Sequence, residues 1–393
     1  MTFLSAVPGG NPREIVRHFT PNWFAANMGT GILALMLALF PYGHWGQLDL
    51  ARALWCINSF FFVLFGLLFI GRAVFYAESF RRLFDHPVQS LFLGAIPMGF
   101  ATIINGFFII WPLSATTLAV AHAFWWIDVL LSALSVLLVP FFMFTSQGHS
   151  MERMTAAWLL PIVPPEVAAA SGGLLAPHLA PAAAENVIYT SYILWSVSVL
   201  LALGVLAILL LRLTLHKLPH QDMAVSSWLP LGPLGTGAMA MITLGNADFA
   251  TFHGELAEMA HFAQMAGLLV ALILWGFGLW WMLMAVAFTL RYLREGLPFN
   301  MGWWGFTFPL GVFDSATYLL ADKTGYWLFE PLGAFFTVLL AFFWIVVTRK
   351  SFVGMWTGRL FRAPCLSEET GLPQSCERPA VQQGGDIMST LRQ

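Results

Sequence analysis

Charge is what this sequence lacks. Of its 393 residues only 10% are Asp, Glu, Lys or Arg, where a soluble globular chain carries about a quarter. That scarcity excludes a disordered chain and an ordinary cytosolic enzyme. The 18 basic residues do not outnumber the 20 acidic ones, which argues against nucleic-acid binding. Cysteine is almost missing: Cys56, Cys365 and Cys376 are too few and too scattered for a disulfide framework or a zinc site. No phosphate loop of the Gly-x-x-x-x-Gly-Lys-Ser/Thr type occurs, so ATP hydrolysis is not expected. No apolar core precedes Arg13, Glu14 and Arg17, so residues 1–19 do not read as a signal peptide.

What is abundant is apolar surface. Hydrophobic residues make up 59% of the chain, with 17 Trp and 36 Phe, and the mean hydropathy is +0.75. Lipid must be the solvent for most of it. Windows of about 20 apolar residues, the length that crosses a bilayer, recur ten times: Phe19–Phe40, Ala53–Tyr76, Val88–Trp111, Thr117–Phe144, Ala156–Pro177, Ile188–His216, Trp228–Phe249, Phe262–Leu293, Gly302–Leu320 and Trp327–Thr348. The runs lack the period-two alternation of barrel strands. The expected fold is therefore an all-α integral membrane protein with about ten transmembrane helices. Residues 1–18 read as a cytoplasmic N-terminus, 19–351 as the ten-helix domain and 352–393 as a flexible cytoplasmic tail. All basic residues but Arg52 and Lys323 fall on one face of this arrangement, which places both termini in the cytoplasm of a protein in the inner (plasma) membrane.

Odd and even spans differ in composition. The odd ones carry glycine, proline and threonine in mid-span: Gly29-Thr30-Gly31, Pro97, Gly99 and Thr102, Pro165-Glu166, Gly235-Thr236-Gly237, and Thr307-Phe308-Pro309. The even ones are mostly Leu, Val, Phe and Trp. Such breaks are tolerated where protein or a cavity satisfies the freed backbone groups, and they mark transport sites. The pattern predicts five helical hairpins around a central pore, odd helices inside and even helices facing lipid. The named residues of the odd spans are the expected pore lining. None of them is Lys or Arg, so an anion path would rest on hydroxyls such as Thr30, Thr102, Thr236 and Thr307 and on helix-end dipoles.

Particular stretches carry a family likeness. His18-Phe19-Thr20-Pro21-Asn22-Trp23-Phe24 leading into Met28-Gly29-Thr30-Gly31, Asp85-His86-Pro87-Val88-Gln89-Ser90, and the segment from Phe299 to Pro309 resemble the tellurite-resistance/dicarboxylate transporter family. That family includes a bacterial tellurite-resistance channel homologue, fungal malate permeases and sulfite efflux pumps, and plant slow anion channels. The resemblance implies a homotrimer in which each protomer carries its own pore. It also implies transport of a small anion, a C4-dicarboxylate such as malate or a sulfite-type oxyanion, and a gate at Phe308, the position matching the family's occluding phenylalanine. Beside that ring, Pro309 is expected to kink the ninth helix, and the surface around Trp275, Trp280 and Trp281 to supply subunit contacts.

Four acids fall inside spans: Asp128, Glu166, Asp248 and Asp314. An intramembrane acid is a functional candidate by default. Glu166 reads either as a proton-coupling group or as a hydrogen-bonded carboxyl at a helix break. Asp128 is expected to make an interhelical hydrogen bond, and Asp248 to lie at the outer mouth. A membrane-embedded enzyme using Glu166, Asp128 and His122 is the competing reading. Scarce polar residues and the lack of a metal-ligand cluster weigh against it. His253, Glu255, Glu258 and His261 match no zinc spacing and read as a solvated loop. No cofactor or metal is expected.

Overall fold

The computed structural model describes residues 12–43, 46–358, 360, 363, 365 and 366. The tail expected to be flexible lies mostly outside these residues. Among the described residues there are twelve α-helices and no strands. They are α1 Pro12–Arg17, α2 Phe24–Leu39, α3 Gln47–Phe75, α4 Ala77–Asp85, α5 Ala95–Ile109, α6 Ala115–Thr145, α7 Pro164–Leu175, α8 Pro181–His216, α9 Leu231–Thr251, α10 Ala257–Glu295, α11 Phe308–Thr324 and α12 Phe329–Trp356. Seven helical segments are long and apolar enough to cross a membrane. The inner helices α7, α9 and α11 are not among them. Two are short, at 12 and 17 residues, and α9 is rich in glycine.

Burial divides the helices as composition suggests. Only 17% of the most apolar window of α3 and 22% of that of α6 are buried, against 67% for Pro21–Leu39 and for Ser90–Ile109. Every residue of α7 except Leu174 is buried. The outer helices present bare rings and aliphatic chains, such as Phe60, Leu67, Leu200 and Ile273, a surface suited to lipid or to another apolar surface rather than to water.

Each inner helix packs against the outer helix that follows it. The inner five also touch one another in chain order, α2 on α5, α5 on α7, α7 on α9 and α9 on α11, and α11 returns to α2. The result is a closed ring. Each inner helix starts in the same way, with a 3₁₀ turn leading into an α-helix: Pro21–Trp23, Ser90–Gly94, Ala156–Leu159, Gln221–Trp228 and Met301–Phe306 precede α2, α5, α7, α9 and α11. Proline stands beside or within the first turn of the α-helix in four of these, as Pro97, Pro164-Pro165, Pro230 with Pro233, and Pro309. Its fixed φ suits a first turn, where the missing N–H would have no intrahelical partner. Pro309 thus starts α11 rather than kinking a longer helix.

The two ends of the described chain meet. The Ala363 amide donates to His18 Nδ1 at 3.1 Å, and Leu366 is buried. Ala363 and Leu366 therefore pack against the rest of the described chain. At the same end Arg72, wholly buried, donates to the carbonyls of Phe19 and Ser79, both at 2.7 Å, and ties α3 to the start of α2.

Candidate functional site

The ring of inner helices encloses a cavity of about 360 Å³ of space between atoms, open ends included. Each inner helix contributes a stripe at three- or four-residue spacing, the spacing of one helical face. These are Ile32 and Leu35 from α2, Thr102, Asn105 and Ile109 from α5, and Val167 and Ala170 from α7. Thr236 and Met239 follow from α9, then Phe308, Val312 and Ser315 from α11. Phe308, the first residue of α11, is 3% exposed. No lining residue is charged. Thr236 Oγ1 and Asn105 Oδ1 are buried with no hydrogen-bond partner in the protein. Ser315 Oγ points at the sulfur of Met239, 3.4 Å away, a weak acceptor that a better one displaces. Thr102 differs: its hydroxyl gives its proton to the Gly99 carbonyl (2.7 Å) and accepts from Asn58 Nδ2 (3.2 Å). Each of the five inner α-helices follows directly or closely on a 3₁₀ turn, and the partial positive charge of each sits at that starting end.

The other residues expected to line a pore sit between helices. Gly29 backs onto Thr307 and Trp304, and Gly31 onto Thr102 and Asn58. Thr30 turns outward and accepts from Trp344 Nε1 of α12 at 3.0 Å. Gly99 lies against Asn27, Phe24 and Phe62, and Gly237 against Leu274 and Val199. Gly235 meets the backbone of Phe313. Thr307 Oγ1 donates to the Trp304 carbonyl at 2.6 Å. Pro97, Pro165 and Pro309 are buried in first turns. The breaks thus hold the wall together, and the stripes beside them face the cavity. Asn105, Met239, Val312 and Ser315 were not among the residues expected to line a pore, although Asn105 precedes Gly106 and Val312 follows Gly311; Met239 and Ser315 lie beside no glycine or proline. Counting three and four residues on from Thr102, Thr236 and Phe308 reaches Asn105, Met239 and Val312, and three more from Val312 reaches Ser315.

A ring of helices around an uncharged cavity, with a phenylalanine at the N-terminus of the last, is joined by a match along the sequence. Residues 18–351 match the family described as voltage-dependent anion channel. The chain belongs to that family. A sulfite efflux pump of Arthroderma otae is 40% identical over 353 residues, covering 88% of this chain and 93% of that protein. An uncharacterized transporter of Methanocaldococcus jannaschii is 32% identical, covering 89% and 98%. The malic acid transport protein of Schizosaccharomyces pombe is 22% identical over 348 residues, covering 84% and 77%. This is the tellurite-resistance/dicarboxylate transporter group of the sequence resemblance. The protein is a multi-pass membrane protein of an anion-transporter family, its substrate is a small anion, and its work is transport rather than catalysis.

In this voltage-dependent anion channel family member the intramembrane acids lie off the cavity. Asp314 faces α12 and accepts from Thr337 Oγ1 at 2.6 Å. Asp248 accepts from Tyr192 of α8 at 2.5 Å. Asp128 is fully buried on α6, and neither of its oxygens has a hydrogen-bond partner, contrary to the interhelical bond expected of it. Glu166 is also fully buried and unpartnered, between α7, α8 and α9. The neighbouring Ser198 hydroxyl gives its proton to the Ile162 carbonyl instead (2.7 Å). His122 accepts from Trp126, its own neighbour one turn on. Among the described residues no three His, Cys, Asp or Glu side chains converge on a metal site. Of the three tryptophans expected at a subunit surface, Trp275 and Trp281 are buried and donate to Thr317 and to the Ser227 carbonyl. Trp280 alone of the three is exposed, at 45%.

Proposed function

We propose that this protein carries a small oxyanion of the sulfite type across the cell membrane through the cavity between its inner helices, with Phe308 as the gate. The observation that carries the reading is the uncharged cavity bordered by all five inner helices with the Phe308 ring in its wall. A lining without Lys or Arg attracts an anion through five helix N-termini and a few neutral donors, Asn105, Thr236 and Ser315, and releases it readily. The 40% identity to a sulfite efflux pump favours sulfite over the C4-dicarboxylate suggested by the 22% identity to a malic acid transport protein. In proteoliposomes sulfite is expected to pass at least tenfold faster than through protein-free vesicles, and faster than malate. Equal leakage with and without protein would sink the proposal.

Glu166 belongs to this reading as the group that couples flux to protons. It is an intramembrane acid, fully buried and unpartnered, and adjoins α9 one residue from Thr236 of the cavity wall. Glu166→Gln keeps the shape and removes the exchangeable proton. Accumulation driven by a pH gradient should fall to the uncoupled level while downhill flux persists. Full pH-driven accumulation in the variant would leave Glu166 a packing group.

The ten-crossing topology in the plasma membrane, with both termini cytoplasmic, and assembly as a homotrimer complete the proposal. The meeting of His18 with Ala363 at one end of the molecule supports termini on a common side. A reporter fused after Gln393 should stay inside the cell and one inserted at His253 should be exported. The mass in detergent should be that of three protomers. A monomer at every concentration, or an exported C-terminus, would count against the corresponding part.

A further inference from the structure

Two arginines near the ends of outer helices staple loops, and only one is fully engaged. Arg72 of α3 uses all three nitrogens: Nη1 and Nη2 bond carbonyls, and Nε bonds Ser79 Oγ at 3.2 Å. Arg212 of α8 is 4% exposed. Its Nη1 donates to the Lys217 carbonyl at 2.5 Å and its Nη2 to the Glu152 carbonyl at 2.7 Å, but its Nε is buried with no partner. No ion pair among the described residues includes Arg212. Glu152 meets it through the backbone, and as a residue it is solvent-exposed. All the hydrogen bonds of this cation go to neutral carbonyls, and the Glu152 carboxylate acts on it without an ion-pair contact, so the buried charge is incompletely compensated.

Arg212 borders a pocket between α8, α10, residues 154–156 and the segment 218–227, with about 350 Å³ of space between atoms, its open mouth included. Leu209, Leu213, Leu218, Trp281 and Phe288 supply apolar walls. The polar groups around it are mostly committed: Trp281 Nε1 to the Ser227 carbonyl, Tyr292 Oη to the Pro219 carbonyl, and the hydroxyls of Ser226 and Ser227 to the carbonyls of Met223 and Ala224. What remains to give is the N–H groups of Arg212 beyond the two already bonded and the Thr155 hydroxyl, whose oxygen accepts from the Ala157 amide. One guanidinium, one hydroxyl and apolar walls opening between membrane helices match a phosphate with a hydrocarbon chain attached. Basic pockets between helices at a cytoplasmic face take anionic lipid headgroups in this way.

We propose that this pocket binds one anionic phospholipid, its phosphate on Arg212 and an acyl chain against Leu209, Leu213 and Phe288. The site is separate from the central cavity, and the proposal does not depend on what that cavity carries. The full-length protein, delipidated in neutral detergent, is titrated with dioleoylphosphatidylglycerol, dioleoylphosphatidylcholine and inorganic phosphate. Adducts are counted by native mass spectrometry and melting is followed in parallel. A single phosphatidylglycerol adduct that raises the melting temperature is expected, with phosphatidylcholine at least tenfold weaker and phosphate without effect at the same concentration. Arg212→Gln should weaken the adduct at least tenfold. That variant also frees the Glu152 and Lys217 carbonyls and can fail to fold, so Ser226→Phe is the second arm. It fills the pocket, leaves the guanidinium bonds in place, and should abolish the adduct in a folded protein. Unchanged binding in Ser226→Phe, or equal binding of phosphatidylcholine, overturns the site. Phosphate acting as well as the lipid overturns the lipid as its occupant.

Discussion

Phe308→Ala is expected to give a folded protein that passes at least ten times the anion current of the parent in a planar bilayer. The ring borders the cavity at the start of α11, with Ile32, Val167 and Thr236 on the facing helices. A phenylalanine packed on all sides loses about 3–5 kcal/mol on truncation to alanine, partly from contacts and partly from the cavity left behind. Here the ring borders an existing cavity, so fewer contacts are lost and the vacated volume joins space that is already there. The cost should fall below that range while the cavity beside Phe308 widens by most of a ring. Melting temperature and single-channel current, measured on the same preparation, separate the two roles. A poorly folded variant without added current would return Phe308 to the core.

Gly235→Ala should do the opposite, abolishing folded protein without touching the cavity lining. A Cβ at this position would lie 2.6 Å from both Cα and N of Phe313 and 2.9 Å from the Val312 carbonyl carbon. These are backbone atoms of α11, so no side chain can rotate out of the way. Relief requires α9 and α11 to separate, and that opens the ring between two of its five members. Overpacking of ordinary side chains costs about 1–3 kcal/mol, and a rigid backbone clash belongs at or beyond the upper end. The expected readout is aggregation on size-exclusion chromatography or a sharply lowered melting temperature. A monodisperse variant with parental stability would mean that the two helices are held less tightly than they lie.

How far these features were legible in the sequence depends on what kind of signal each left. The helical class and the inner and outer sets were readable, because lipid exposure writes itself into composition: α3 and α8 are rich in large aliphatic or aromatic side chains, while α7 and α9 are full of Gly, Ala and Pro. The helix starts were half readable. Pro309 was visible, but one chain cannot tell a proline that kinks a helix from one that begins it, since both remove the same donor. The site was the least readable part. Motifs draw the eye to Gly29, Gly31 and Gly235, which exist because another helix comes close. Residues that face the cavity are under no such constraint and look ordinary. Thr30 and Thr236 both stand in Gly-Thr-Gly, yet one accepts from Trp344 and the other lines the cavity. What separates them is the rotation of each helix about its axis, which neighbours several spans away decide.

Closure of the ring has a consequence for biosynthesis. Segments enter the membrane in order, yet α2, among the first to arrive, finds its final neighbours among the last: Thr307 for Gly29, Trp344 for Thr30 and Ala363 for His18. Until the final hairpin is inserted, the hydroxyl of Thr30 and one flank of α2 face lipid or a chaperone. A nonsense mutation near the end of the gene therefore harms the beginning of the protein. By the same geometry the natural break in the chain is only one of several equivalent places to open the circle. Joining the two ends by a short tether and cutting an external loop should yield a permuted protein that still closes, made in a different order.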